Sequence, residues 1–201
     1  MKDNVRVEAY GAIDETNASI GLARAAIQEG SSGSREVLGY IDSTLEVVQH
    51  KLFAIGTSLA GNDDPAYGVK DSDIDFLEKC IDRMDEQVPP IKAFILPFGT
   101  DLCARLHLAR TISRRAERSI ISLSKTESID PNIIAYSNRL SDFLFTLARY
   151  ANKGQGMQDV SWKKDMKELE VSQQQLVFTN HKENHMAESK TDAAAQTPPS
   201  R

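Results

Sequence analysis

Cysteine is scarce in this chain: Cys80 and Cys103 stand far apart, and neither belongs to a CxxC pair. That excludes a disulfide framework and a thiolate metal site, and it suits a reducing compartment. No apolar run approaches the roughly 20 residues that a helix needs to span a bilayer, so no membrane role is expected. The opening Met1-Lys2-Asp3-Asn4 lacks a signal-peptide pattern and the Arg/Ser richness of a transit peptide. A cytoplasmic setting is expected, or the mitochondrial matrix if the source is eukaryotic. Excess positive charge is also missing: the net charge is −5, which argues against nucleic acid as a partner. No GxxxxGK(S/T) loop is present, so a nucleotide would have to be held without a P-loop. No ExxH pair falls in a helical segment, which removes the di-iron reading of a helical bundle. No metal-binding residues are therefore expected. His181 and His185 share helical spacing but lie in a polar stretch, and His50 and His107 read as isolated, satisfied histidines.

What is present is helical periodicity. Strand-like alternation is weak, and five segments repeat their apolar residues at steps of three and four. They run from about Val5 to Gln28, Ser34 to Leu59, Asp71 to Val88, Thr100 to Glu127, and Pro131 to Asn152. Gly30, Gly33, Gly61, Pro65, Pro89, Pro90 and Pro97 fall between them as breakers. Asp130 followed by Pro131 has the form of an N-cap and a first-turn proline. An all-α bundle is expected over residues 1–153. Residues 154–201 are polar and end in AAAQTPPSR, the composition of a mobile tail, with Trp162 as a candidate early docking point.

The fourth segment carries two stripes. Leu102, Leu106, Ala109, Ser113, Ala116, Ile120 and Leu123 form a bundle seam, which the fifth segment repeats with Ile133, Ser137, Leu140, Leu144, Leu147 and Ala151. One position on lie Cys103, His107, Arg110, Arg114, Glu117 and Ile121, about 100° around the helix. Arg110, Arg114 and Glu117 share a face, so two guanidiniums one turn apart could clamp a polyphosphate, with Arg115 and Arg118 adding positive potential. The plainer reading is a solvated basic face. Asp14 in YGAIDETN is either a helix-start acid or the carboxylate that fixes Arg110. Asn138 in YSNRLSDF is either a bundle-register residue or a hydrogen-bonding group for a ribose or base edge. The loop VPPIKAFILPFGT must fold onto the core or face a large apolar ligand.

Taken together, three segments resemble the PduO-type ATP:cob(I)alamin adenosyltransferases. YGAIDETN is similar to that family's YGxxDELN helix. ILPFGTDLCARLHLARTISRRAER is similar to its ILPGG…ALHxART…RRAER block, and YSNRLSDFLFTLARYAN to its YLNRLSDxLFxLARxAN block. The resemblance covers roughly Lys2 to Trp162 and implies a five-helix bundle assembled as a homotrimer with active sites between subunits. It implies ATP contacts at Lys2, Arg114, Arg115, Ala116, Glu117, Arg118 and Asn138, with Mg²⁺ accompanying ATP. Asp14 and Arg110 match a carboxylate–arginine pair at the subunit interface and corrinoid site, and both join Arg114 in catalytic roles. Phe94 matches an aromatic residue that displaces the lower ligand of cob(II)alamin. Cob(I)alamin then attacks the 5′-carbon of ATP, and triphosphate leaves. A cob(II)alamin reductase and a cobalamin-dependent enzyme are the further partners implied.

Two departures bear on activity. The family's phosphate-gripping loop, of the type YTKTGDxGxT, has no counterpart ahead of Lys2 here, so weaker ATP binding is expected. Phe98 replaces the first glycine of the LPGG turn and is expected to crowd the corrinoid-facing loop. The alternatives are a truncated or non-catalytic paralogue that binds corrinoid or only assembles into the trimer, and a helical interaction module without a ligand.

Overall fold

The computed structural model describes residues 4–62 and 64–164. Its helices are α1 (Val5–Gln28), α2 (Arg35–Leu59), α3 (Asp71–Asp85), α4 (Asp101–Ser124) and α5 (Pro131–Gly154), with a single 3₁₀ turn at Pro65–Tyr67. Among the described residues there is no strand, only an isolated antiparallel bridge between Ile95 and Ser161. The five-helix architecture expected from periodicity is therefore observed. No described helix is long and apolar enough to cross a membrane.

Local chemistry sets the ends. Asn4, Thr100 and Asp130 cap α1, α4 and α5, their side chains accepting from Arg6 N, Cys103 N and Asn132 N. Each such cap is worth about 1 kcal/mol. Helix α3 stops at Asp85, short of the expected Val88. Val88 precedes Pro89, and the proline ring disfavours the α conformation in the residue before it. Residues 125–127 likewise leave α4 in a turn, with the N–H groups of Thr126 and Glu127 both donating to Leu123 O.

Helix α4 packs between α1 and α5, α1 also packs on α2, and α3 packs on α5. Every residue of the two expected seams is buried. At about 0.8 kcal/mol per buried methylene, those leucines and isoleucines dominate the cohesion of the bundle. Polar ties supplement them. Arg6 reaches from α1 to Leu59 O and to Glu127, and Arg24 of α1 pairs with Asp42 of α2 at 2.7 Å. Cys80 and Cys103 are free and buried.

The packed unit does not end at Lys153. Residues beyond α5 return across the 88–100 loop, where Leu96 N–H donates to Val160 O and Trp162 N–H to Phe94 O. The compact unit thus reaches Trp162. Trp162 docks as expected, whereas the expected mobile tail, with His181 and His185, otherwise lies outside the described residues, as does Lys2.

Candidate active site

Apart from buried Val88 and half-buried Ile95, the apolar side chains of the 88–100 loop stay off the core. Phe94 is 81% exposed, and Ile91, Leu96 and Phe98 are exposed as well. An apolar loop held out in solvent is the arrangement that a large apolar ligand requires. The Phe94 ring meets Trp162 edge-on, with ring centroids 6.5 Å apart.

Phe98 causes no crowding of the backbone. Among the described residues no non-glycine residue has a positive φ, and the turn's unusual conformation falls on Gly99, at φ 153°. A Cβ there would lie 2.1 Å from Asn152 Oδ1. Only glycine suits that position, and the sequence retains it.

The loop feeds directly into α4, whose second stripe changes character along its length. Cys103 and His107 are buried, Arg110 is half-buried, and Arg114 is exposed. His107 is 3% exposed, and neither ring nitrogen has a hydrogen-bond partner among the described residues. It is a core histidine, but not the satisfied one expected. Burial first, and then the nearby Arg110 charge, pull its pKa down to about 4, while Asp159 opposes the shift. The ring is therefore neutral at physiological pH. Arg110 stacks over Phe145 at 5.9 Å, with its Nε buried and unpartnered. Burial, then Arg114, lowers its pKa.

Further along, the arginines fan over two sides of α4. Arg115 pairs with Glu15 of α1 at 2.5 Å. Arg115 and Arg118 line a cleft of about 390 Å³ with Val5, Glu8, Ser119 and Ser122. On the other side, Asn138 Nδ2 of α5 donates to Glu117 Oε1 at 2.8 Å, so these two expected nucleotide contacts meet directly. Arg118 folds back onto the Arg114 backbone carbonyl, and the exposed Arg114 guanidinium makes no ion pair among the described residues.

Ala116 is 1% exposed, its methyl lying in the bundle seam between the arginines. Asp14 and Arg110 do not pair within one chain: Asp14 is exposed without an ion pair among the described residues. The α1 acid that pairs with an arginine near the middle of α4 is Glu15, one residue on.

The profile of the family described as cobalamin adenosyltransferase matches residues 1–151. The chain belongs to this family. Among its relatives, the corrinoid adenosyltransferase of Bacillus subtilis (strain 168) is 42% identical over 166 residues, spanning 81% of this chain and 82% of that protein. The Homo sapiens corrinoid adenosyltransferase MMAB is 39% identical over 165 residues, spanning 82% of this chain and 66% of its own. A solved structure of a variant PduO-type ATP:corrinoid adenosyltransferase from Lactobacillus reuteri, complexed with cobalamin and ATP, is similar at 36% identity and a TM-score of 0.73. That match covers 82% of this chain and 89% of that one.

Proposed function

We propose that this chain transfers the 5′-deoxyadenosyl group of ATP to the cobalt of cob(I)alamin, forming adenosylcobalamin and releasing triphosphate. One observation carries the reading: α4 joins an outward-facing apolar loop at its start to a fan of arginines in its second half. The Co–C bond forms as the C5′–O bond of ATP breaks, and triphosphate takes the electron pair. Since the substrate's cobalt is the nucleophile, no protein nucleophile or general base is needed. The protein's tasks are alignment, exclusion of water and stabilisation of the leaving charge.

Arg114, Arg115 and Arg118 face the growing negative charge with planar, forked donors. Asn138, oriented by Glu117, offers an amide to the nucleoside. Phe94 covers the lower face of the corrinoid, excluding water and an axial donor. The described residues hold no group of three or more His, Cys, Asp or Glu able to cage a metal. Mg²⁺ would thus enter on the ATP phosphates, which suits an ion that binds through substrate and few carboxylates; it would supply further charge neutralisation.

At about 1.5 Å per residue, Arg114 lies roughly 20 Å along α4 from its cap at Thr100. We place the complete site between subunits of a homotrimer, where a neighbour would close this gap and meet Asp14 and Arg110. Reduced corrinoid points to a reducing compartment, the cytoplasm or a mitochondrial matrix, and to a cob(II)alamin reductase upstream. A cobalamin-dependent enzyme would take the product.

The test is adenosylcobalamin formation from ATP and chemically reduced cobalamin, followed by the visible spectrum. Phe94→Ala is expected to keep ATP affinity and lose the absorption of four-coordinate cob(II)alamin. No product from the wild-type chain would reject the activity, leaving corrinoid binding or assembly alone.

A further inference from the structure

The 88–100 loop has no helix or strand of its own, so something else must fix Phe94. Two residues of α5, one turn apart, hold its two ends. Arg149 is 5% exposed; its Nη2 donates to Pro89 O at 2.5 Å, and its Nε to Asp159 Oδ2 at 2.8 Å. Asn152 is 1% exposed; its Oδ1 accepts from Thr100 N–H at 3.0 Å, and its Nδ2 faces Phe98 O at 3.3 Å. The second carboxylate oxygen of Asp159 accepts from Asn152 Nδ2 at 3.3 Å, joining the two anchors. Next to Asp159, the chain supplies Val160 O to Leu96 N–H at 2.8 Å, and Trp162 N–H to Phe94 O at 2.6 Å. Arg149, Asn152 and the 159–162 segment that they bind through Asp159 therefore hold the start, end and middle of the loop.

We infer that Arg149, Asn152 and Asp159 form a latch that positions the Phe94 loop for the corrinoid, making them positioning residues for that half of the reaction. This rests on the proposed adenosyl transfer. A buried guanidinium is costly to keep unless paired, so the pair strongly favours one loop position. Phe94 cannot hold itself there, because its ring is mostly exposed. Behind the latch lies a cavity of about 860 Å³ lined by Ala93, Ile95, Arg149 and Asp159. The loop forms one wall of that cavity and Arg149 and Asp159 the other, so the loop has room to collapse toward α5 once it is released. A shift of about 1 Å at a reacting centre can cost roughly 100-fold.

Asp159→Asn keeps the shape and removes the charge. The expected result is unchanged helix content by circular dichroism, with at least tenfold faster hydrogen exchange at the Leu96 and Trp162 amides. KM for cobalamin should rise tenfold or more and the four-coordinate cob(II)alamin absorption should weaken, while KM for ATP stays within twofold. Asp159→Glu should recover part of each effect. If Asp159→Asn does not fold, Arg149→Lys serves, since lysine can reach Asp159 or Pro89 O but lacks the fork to hold both. Unchanged loop exchange would overturn the inference. So would equal rises in both KM values, or a corrinoid spectrum at full strength with a loosened loop. If the wild-type chain transfers no adenosyl group, the proposed function falls separately, and the latch is decided by exchange and the cob(II)alamin spectrum.

Discussion

Arg114 and Arg115 are adjacent in the chain, yet they look to different sides of α4. Arg115 is engaged by Glu15 across about half-exposed surface, and such a pair contributes at most about 1 kcal/mol. Arg115→Ala should therefore leave the melting temperature nearly unchanged. A charged hydrogen bond to phosphate is worth about 1.5–3 kcal/mol, so ATP affinity should fall tenfold or more. Glu15→Gln should keep or tighten ATP binding, because it frees the same guanidinium. Calorimetric titration with ATP checks both, and an unaltered Kd for Arg115→Ala would return this surface to solvated charge. His107 makes a separate prediction. Its pKa is about 4 when folded, against an ordinary 6.5 when unfolded. The unfolded chain thus binds more protons between these values, and stability contributed by neutral His107 is lost as pH falls from 6.5 to about 4. The loss is on the order of 3 kcal/mol by the usual linkage. His107→Phe should flatten this part of the stability–pH curve in denaturant titrations. A curve parallel to wild type would mean that the ring takes up its proton without penalty.

At the scale of elements, the turn at Gly99 is as constrained as any helix. Gly99→Ala would force a Cβ into the Asn152 amide at a φ that costs about 1–3 kcal/mol by itself. A lower melting temperature together with a loosened Phe94 loop is expected. Phe98→Gly should fold normally, since the Phe98 side chain points into solvent. The helices were legible in the sequence because burial on one face imposes a period, and Leu102 to Leu123 keep it without a break. Ends were less legible: α3 was overrun to Val88 although Pro89 was in view. The arginines of α4 were legible from their spacing and from the resemblance. The Arg149–Asn152–Asp159 cluster was not, because it joins side chains to backbone carbonyls some 60 residues away and leaves no period behind. Which of the adjacent acids Asp14 and Glu15 meets α4 depends on the rotation of α1, which the spacing within YGAIDETN leaves open.

For the whole molecule, the outward face of α1 and α4 is the informative surface. Leu22 and Leu108 are both more than half exposed, and Arg105 of α4 bonds Leu22 O beside them. Among the described residues Asp14 makes no ion pair, and Arg110 has a buried Nε without a hydrogen-bond partner. A buried donor left unsatisfied costs about 1–3 kcal/mol, so the isolated chain holds a cost that a second copy could remove. Sedimentation equilibrium is expected to give a trimer. Asp14→Asn and Arg110→Lys should couple by more than about 1 kcal/mol in a double-mutant cycle on assembly, because they would meet across subunits. Leu108→Asp is the sharper test. Leu108 is exposed in the single chain, so the variant should keep its helix content and its internal seams. A carboxylate placed in an apolar contact must be desolvated without a partner, which opposes association strongly. The variant should therefore sediment as a monomer and lose adenosylation in parallel, if each site needs two copies. A trimer that survives Leu108→Asp would move the interface off the α1–α4 face. A fully active monomer would place the whole site within one chain and leave Asp14 without a role.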